Sequence, residues 1–325
     1  MKLLFLKEGF TIFCSKHNET HKEIIFGLDD KNQPIQHFTF QDEFVYSKNE
    51  LDAITERCET VNLENGYLLY SFLYEKSYAH YLTQTIPKLY DYLNEYSHCN
   101  LLIPKSRYNN LCKDILKNLN INNVILLENE VIYNINNFIS TKIYEAPPAS
   151  FVNAHVGIYN KIRNNLNITP NVLKNRNIYL KRDGFQSIDF GNDETGINRH
   201  IINENELINE LQKKKFEIVT LGTKLITEKK ELLQNANIII TSLGANCMNL
   251  IFSNAPKHII YLSNKEMFGE HYFTGLCETL NNTKINSITI RYDGLKIDPL
   301  NCWNKNFQVD VSQLICYIEN FANII

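Results

Sequence analysis

Residues Ala236–Phe252, ANIIITSLGANCMNLIF, carry the reading of the fold. The β-branched run Ile238, Ile239, Ile240 is short and apolar, the pattern of a buried strand. Thr241-Ser242-Leu243-Gly244-Ala245-Asn246 then makes a glycine turn, and Asn249-Leu250-Ile251-Phe252 continues as a helix. A strand, a tight turn and a helix start leave backbone N–H groups facing outward. They suit an anion, above all a diphosphate. A plain structural turn of any α/β domain has the same pattern, so the neighbouring segments decide between the two.

Upstream, Asn177 to Asp183 (NIYLKRD) reads as a short strand ending in a basic pair. Arg199 and Asn203-Glu204-Asn205-Glu206-Leu207 follow it. A helix, a strand from Phe216 to Thr220, a helix from Thr227 to Asn235 and the Ala236 strand complete an alternating set. The N-terminal half adds Tyr78-Ala79-His80-Tyr81-Leu82 and Ile86-Pro87-Lys88-Leu89. In order and spacing these blocks resemble the family 61 glycosyltransferases. In that family one strand carries Tyr-x-x-Arg, a second Arg precedes Asn-Glu, and a later strand ends in His-Gly-Ala-Gly-x-x-Asn. The matching residues here are Tyr179, Arg182, Arg199, Asn203, Glu204, Glu228, Ala236, Gly244, Ala245 and Asn249. The family's Tyr-x-His block and its Leu-Pro-Arg-Leu fall on Tyr78 to His80 and on Ile86 to Leu89. The resemblance runs from about residue 66 to about residue 290.

The departures lie at chemically important places. Leu243 stands where the family has His, Asn246 where it has a second Gly, Gln84 where it has Asp, and Lys229 where it has Gln. Losing an imidazole and a carboxylate removes two groups able to accept a proton or orient a sugar. Two readings stay open on this basis: an enzyme with a rearranged site, and a non-catalytic relative that binds nucleotide or glycan as a scaffold or regulatory subunit.

Composition narrows the classes. With 325 residues the chain is long enough for two ordinary domains, and 44% hydrophobic against 21% charged residues supports a real core. A net charge of −3 argues against general nucleic-acid binding. No apolar run reaches the ~18 residues of a membrane span. The opening MKLLFLKEGF is interrupted by Lys7 and Glu8, without a small-residue cleavage site, so a cytoplasmic location is expected. The eight cysteines show no Cys-x-x-Cys pair, which predicts free thiols. Gly-x-Ser-x-Gly, P-loop and Gly-x-Gly-x-x-Gly signatures are absent from the sequence, which removes the usual marks of hydrolases, NTPases and nicotinamide enzymes.

The alternation of strand and helix from Gly66 onward predicts parallel sheets with helices on both faces. Residues 1–165 are expected to form an N-terminal, acceptor-side domain, strand-rich over 1–65. Residues 166–300 form a C-terminal nucleotide-sugar domain, and 301–325 a helix returning onto the first. The resemblance implies two Rossmann-like domains facing a cleft, the glycosyltransferase B type. It also implies inverting transfer of a hexosyl or pentosyl unit, from a UDP-sugar or similar donor, to a glycan or protein hydroxyl.

Such a transfer must neutralise a leaving diphosphate and deprotonate an acceptor. The sequence holds no Asp-x-Asp, so no metal or other cofactor is expected, and arginine with a helix N-terminus takes that part. Arg182 and Arg199 suit phosphate oxygens, with an ordinary ion pair as the alternative for each. Thr241, Ser242, Gly244, Ala245 and Asn246 are expected to line the nucleotide pocket. Asn249 either binds a phosphate or caps a loop. His80 is the first candidate base, against a histidine packed among tyrosines, followed by His271 and Glu270.

Overall fold

The computed structural model describes residues 2–7, 11–13, 18–20, 23–28, 34–37, 56–70, 78–104, 109–128, 131–140, 153–166, 176–182, 200–222, 224–234, 236–252, 258–265, 270–280, 286–293 and 306–322. The chain divides into two units, Met1–Ile158 and Tyr159–Ile325, against the boundary at 165/166 read from the sequence.

Unit 1 opens with β1 (Lys2–Lys7), β2 (Thr11–Phe13), β3 (Asn18–Thr20), β4 (Glu23–Leu28) and β5 (Pro34–His37). Strands β2 and β3 form a two-stranded antiparallel pair. The others join β6 (Glu59–Leu68), β7 (Asn100–Pro104), β8 (Val124–Leu127) and β9 (Val131–Ile139) in one sheet of order β5-β4-β1-β9-β6-β7-β8. Pairing is parallel from β9 through β8 and antiparallel along β9, β1, β4 and β5. The strand-rich beginning of the chain is therefore an antiparallel wing on a parallel sheet.

Asparagine is a poor strand former, and three of them interrupt the strand-forming residues of VIYNINNFI in β9. The structure supplies a reason for it to pair. Asn134 and Asn137 donate side-chain hydrogen bonds to Asn62 and Asn65 (2.9 Å each), and Asn136 donates to Glu64 at 2.7 Å. These amides form a ladder along the in-register β6–β9 pair.

Between β6 and β7 the chain winds as α1 (Tyr78–His80), a π-helical turn Tyr81–Thr85, α2 (Lys88–Asp91) and a second π-helical turn Tyr92–Tyr96. Pro87, at the N-cap of α2, has no N–H to continue the ladder, and the first wide turn precedes it. Helix α3 (Asn109–Asn118) joins β7 to β8.

Helix α4 (Asn153–Asn165) contains the division between the units. Unit 2 then alternates: β10 (Arg176–Leu180), α5 (Glu204–Lys213), β11 (Glu217–Val219), α6 (Ile226–Leu233), β12 (Ala236–Ser242). After β12 come a 3₁₀ helix Ala245–Phe252, β13 (His258–Asn264), α7 (Glu270–Leu280), β14 (Asn286–Tyr292) and α8 (Val311–Ala322). All five strands are parallel, in the order β11-β10-β12-β13-β14. By order of appearance this is 2-1-3-4-5, a doubly wound sheet whose winding reverses between β10 and β12.

Apolar residues at Leu207 and Leu211 of α5 and at Val311, Leu314 and Ile318 of α8 join one core with Ile238, Ile240, Ile260 and Leu262 of the sheet. The tail helix, expected on the N-terminal domain, thus packs within unit 2. Its apolar stripe repeats with helical spacing and finds its partner in α5, to which Lys214 and Glu319 also tie it by an ion pair.

Candidate functional site

In a doubly wound sheet the crevice for a ligand opens at the carboxyl ends of the strands where the winding reverses. In unit 2 that point lies between β10 and β12. The register pairs Leu180 with Thr241, so Lys181-Arg182 and Leu243-Gly244 overhang the same end of the sheet. Gly244 takes φ 142°, a region open to glycine and strained for any residue with a Cβ.

The turn is held on three sides. Leu243 N–H donates to the Leu262 carbonyl at 2.8 Å, which pins it to β13. The Asn246 side chain donates to the Leu180 carbonyl at 3.4 Å, which reaches back to β10. Cys247 donates to the Gly244 carbonyl through its N–H (3.1 Å) and its thiol (2.8 Å). The following segment winds as a 3₁₀ helix rather than an α-helix. Its first N–H groups, Ala245 and Asn246, have no acceptor within the helix, as at any helix start.

Arg182 lies beside this turn, half-buried, and burial pulls its pKa below that of an ordinary guanidinium. It makes no ion pair or hydrogen bond among the described residues. A guanidinium partly removed from water is costly unless an anion meets it.

The remaining motif positions sort differently. Tyr179 donates its hydroxyl to Glu204 at 2.8 Å, and burial followed by the Glu204 charge holds its pKa well above the usual range. Asn203 clips the chain near the C-terminus, donating to the Val309 carbonyl (2.9 Å) and accepting from the Val309 N–H (3.0 Å). Glu228 accepts the Leu225 N–H at 2.7 Å and closes the first turn of α6. Asn249 is buried and donates to the carbonyl (2.9 Å) and side-chain oxygen (3.4 Å) of Asn246, contacts that a cap of the turn would make. Thr241 and Ser242 are buried within β12, and the Thr241 hydroxyl contacts the Ser242 carbonyl at 3.4 Å. Leu243, in the place of the family's histidine, is 2% exposed and belongs to the core.

A family model described as Glycosyltransferase 61 matches residues 78–260, more than half of the chain and including both the Tyr78 block and the Gly244 turn. The chain belongs to glycosyltransferase family 61. No curated protein matches it.

The other candidates of this family 61 glycosyltransferase fall elsewhere. His80 lies in unit 1 at the end of α1, where the π-helical turn begins, and burial lowers its pKa from 6.5. Gln84, in the place of the family's Asp, is buried in that turn. Glu270 and His271 begin α7, and their side chains lie outside the described residues, as does Arg199. No described helix is long and apolar enough to cross a membrane. The described cysteines, Cys58, Cys99, Cys112, Cys247, Cys277 and Cys316, are free thiols, as expected.

Sequence reasoning passed over the buried cations. Lys88 is 1% exposed and donates to the Tyr70 carbonyl at 2.6 Å, while its own carbonyl accepts from the Tyr67 hydroxyl at 2.8 Å. It thus fastens the exit of β6 to α2. Lys230 donates to the Arg163 and Leu166 carbonyls (2.8 Å each) at the end of α4, and Arg163 donates to the Leu280 carbonyl (3.0 Å) at the end of α7. A cation at a helix C-terminus is favoured by the helix dipole. The signal was present in Lys88 on the family's arginine position, but a single lysine in a lysine-rich chain carried little weight.

Proposed function

We propose that this family 61 glycosyltransferase moves a sugar from a nucleotide sugar, most simply a UDP-sugar, to a glycan or protein hydroxyl, with inversion and without a metal. The observation that carries the reading is Arg182, half-buried and unpaired among the described residues, next to the Gly244 turn at the winding reversal of unit 2. Guanidinium and backbone N–H groups together match the oxygens of a diphosphate, and they strengthen as the leaving group gains charge. His80 of unit 1 is the base in this proposal, within a B-type pairing of the two units. An imidazole of lowered pKa is neutral at pH 7 and able to take the acceptor's proton.

Thermal unfolding against UDP, GDP and CMP, each with EDTA and with Mn²⁺, tests the donor site. A rise with one nucleotide that persists in EDTA and disappears in Arg182→Ala supports it. Loss of a charged hydrogen-bond pair of this kind removes about 1.5–3 kcal/mol, a tenfold or larger weakening. No rise with any nucleotide, or an undiminished one in Arg182→Ala, removes Arg182 from the site. His80→Ala with full turnover removes His80 from the mechanism.

A further inference from the structure

Unit 1 contains a cavity of about 440 Å³ between α3 and the strands β7 and β8, within the ~300–1,000 Å³ range of small-molecule sites. Its lining is mixed, with Asn120 and Asn122 beside an apolar part. Ile103, Leu116 and Ile121 are buried there, and Leu126 is half-buried. Its rim is cationic: Lys113 and Lys117, one helical turn apart on α3, both line the opening and are exposed.

The two ammonium groups repel each other across one turn, which disfavours the helix by ~0.2–0.5 kcal/mol. Lys117 lies in the last turn, where the helix dipole accounts for a cation. Lys113 lies a turn earlier and gains little from the dipole. Neither forms an ion pair with a carboxylate among the described residues, and Asp114, next to Lys113 in the chain, does not line the cavity.

We propose that this cavity binds a single-chain alkyl phosphate, its chain against Ile103, Leu116 and Ile121 and its phosphate between Lys113 and Lys117. The apolar part of the lining, Ile103, Leu116, Ile121 and Leu126, suits a ligand with an apolar body, which a free phosphate lacks. The paired ammonium groups demand charge, which a neutral lipid lacks. A phosphomonoester carries up to two negative charges near neutral pH and so answers both lysines, where a carboxylate answers one. The site lies within unit 1 and does not rest on the transferase reading.

Titration calorimetry of the full chain with decyl phosphate, kept below its micelle concentration, tests it. Saturable binding of one molecule per chain is expected, at least tenfold tighter than decanol, decanoate or inorganic phosphate. Lys113→Gln combined with Lys117→Gln is expected to weaken it at least tenfold with a near-parental unfolding temperature, since both side chains are exposed and no new charge enters the helix end. Leu126→Trp, which fills the cavity, abolishes binding by a second route. The nucleotide response of the lysine double variant stays that of the parent. Absence of saturable binding, equal affinity in the double variant, or equal affinity for decanol or decanoate overturns the proposal.

Discussion

Lys88 shows most directly what burial does to a single residue. Desolvation pushes its ammonium down to about 8 from 10.5, with the Asp91 carboxylate pulling in the opposite direction. Below pH 8 the folded and unfolded chains both hold the proton, and the charge enters the core at full cost. Between pH 8 and 10.5 only the unfolded chain holds it, so this side chain's contribution to stability rises with pH. The full change is on the order of 3 kcal/mol. Lys88→Met removes the titration while keeping the bulk. Urea unfolding of both proteins from pH 7 to pH 10 should show the parent gaining on the variant, and a constant difference would contradict the environment described for Lys88. His80 titrates with the opposite consequence for catalysis. As the base it must be neutral, and its pKa lies below 6.5, so the acid limb of kcat/KM should have its midpoint below pH 6.5 and vanish in His80→Gln. A midpoint well above 6.5 would point to another base.

At the scale of elements, side chains identified as a family pattern turn out to hold strands and helices together. Asn203 exchanges two hydrogen bonds with the Val309 backbone, beside the bridge that pairs Ile201 with Phe307. Asn203→Ala leaves the Val309 N–H and carbonyl without these partners and should lower stability by about 1–3 kcal/mol. The loss should appear as faster proteolysis of the tail, with the nucleotide response per folded molecule retained. A variant of parental stability would show that core contacts of α8 alone fix the tail.

The same contrast explains what was legible in the sequence. The β12 strand and glycine turn were legible because β-branched residues and Gly244 have local causes, and the strand before Lys181-Arg182 was legible from its apolar run. The 3₁₀ form of Ala245–Phe252 is not reported by any local pattern, and neither is the contact of Asn246 with Leu180, distant in the chain. Strand β9 was hidden for a related reason. Its asparagines pair with residues 72 positions earlier, and amide ladders leave no hydrophobic period. Burial of Asn249 and Thr241 is likewise a property of the folded chain that residue type and position do not report.

For the whole molecule, the winding order of unit 2 concentrates the predicted donor chemistry at one sheet end, while His80 belongs to the other unit. The binding of nucleotide is therefore expected to leave an uneven mark on the chain. Ligand at about a hundred times its Kd stabilises the state that holds it by roughly 2.7 kcal/mol, a slowing of exchange by up to about a hundredfold for amides exposed only when the site opens. Hydrogen exchange with and without the nucleotide identified by thermal unfolding should show its largest protection at Lys181-Arg182 and across Leu243 to Cys247. The β6–β9 ladder, held by its own amides at the opposite end of the sequence, should change least. Strongest protection within unit 1 would move the donor site out of unit 2 and leave the Gly244 turn a structural feature of the sheet.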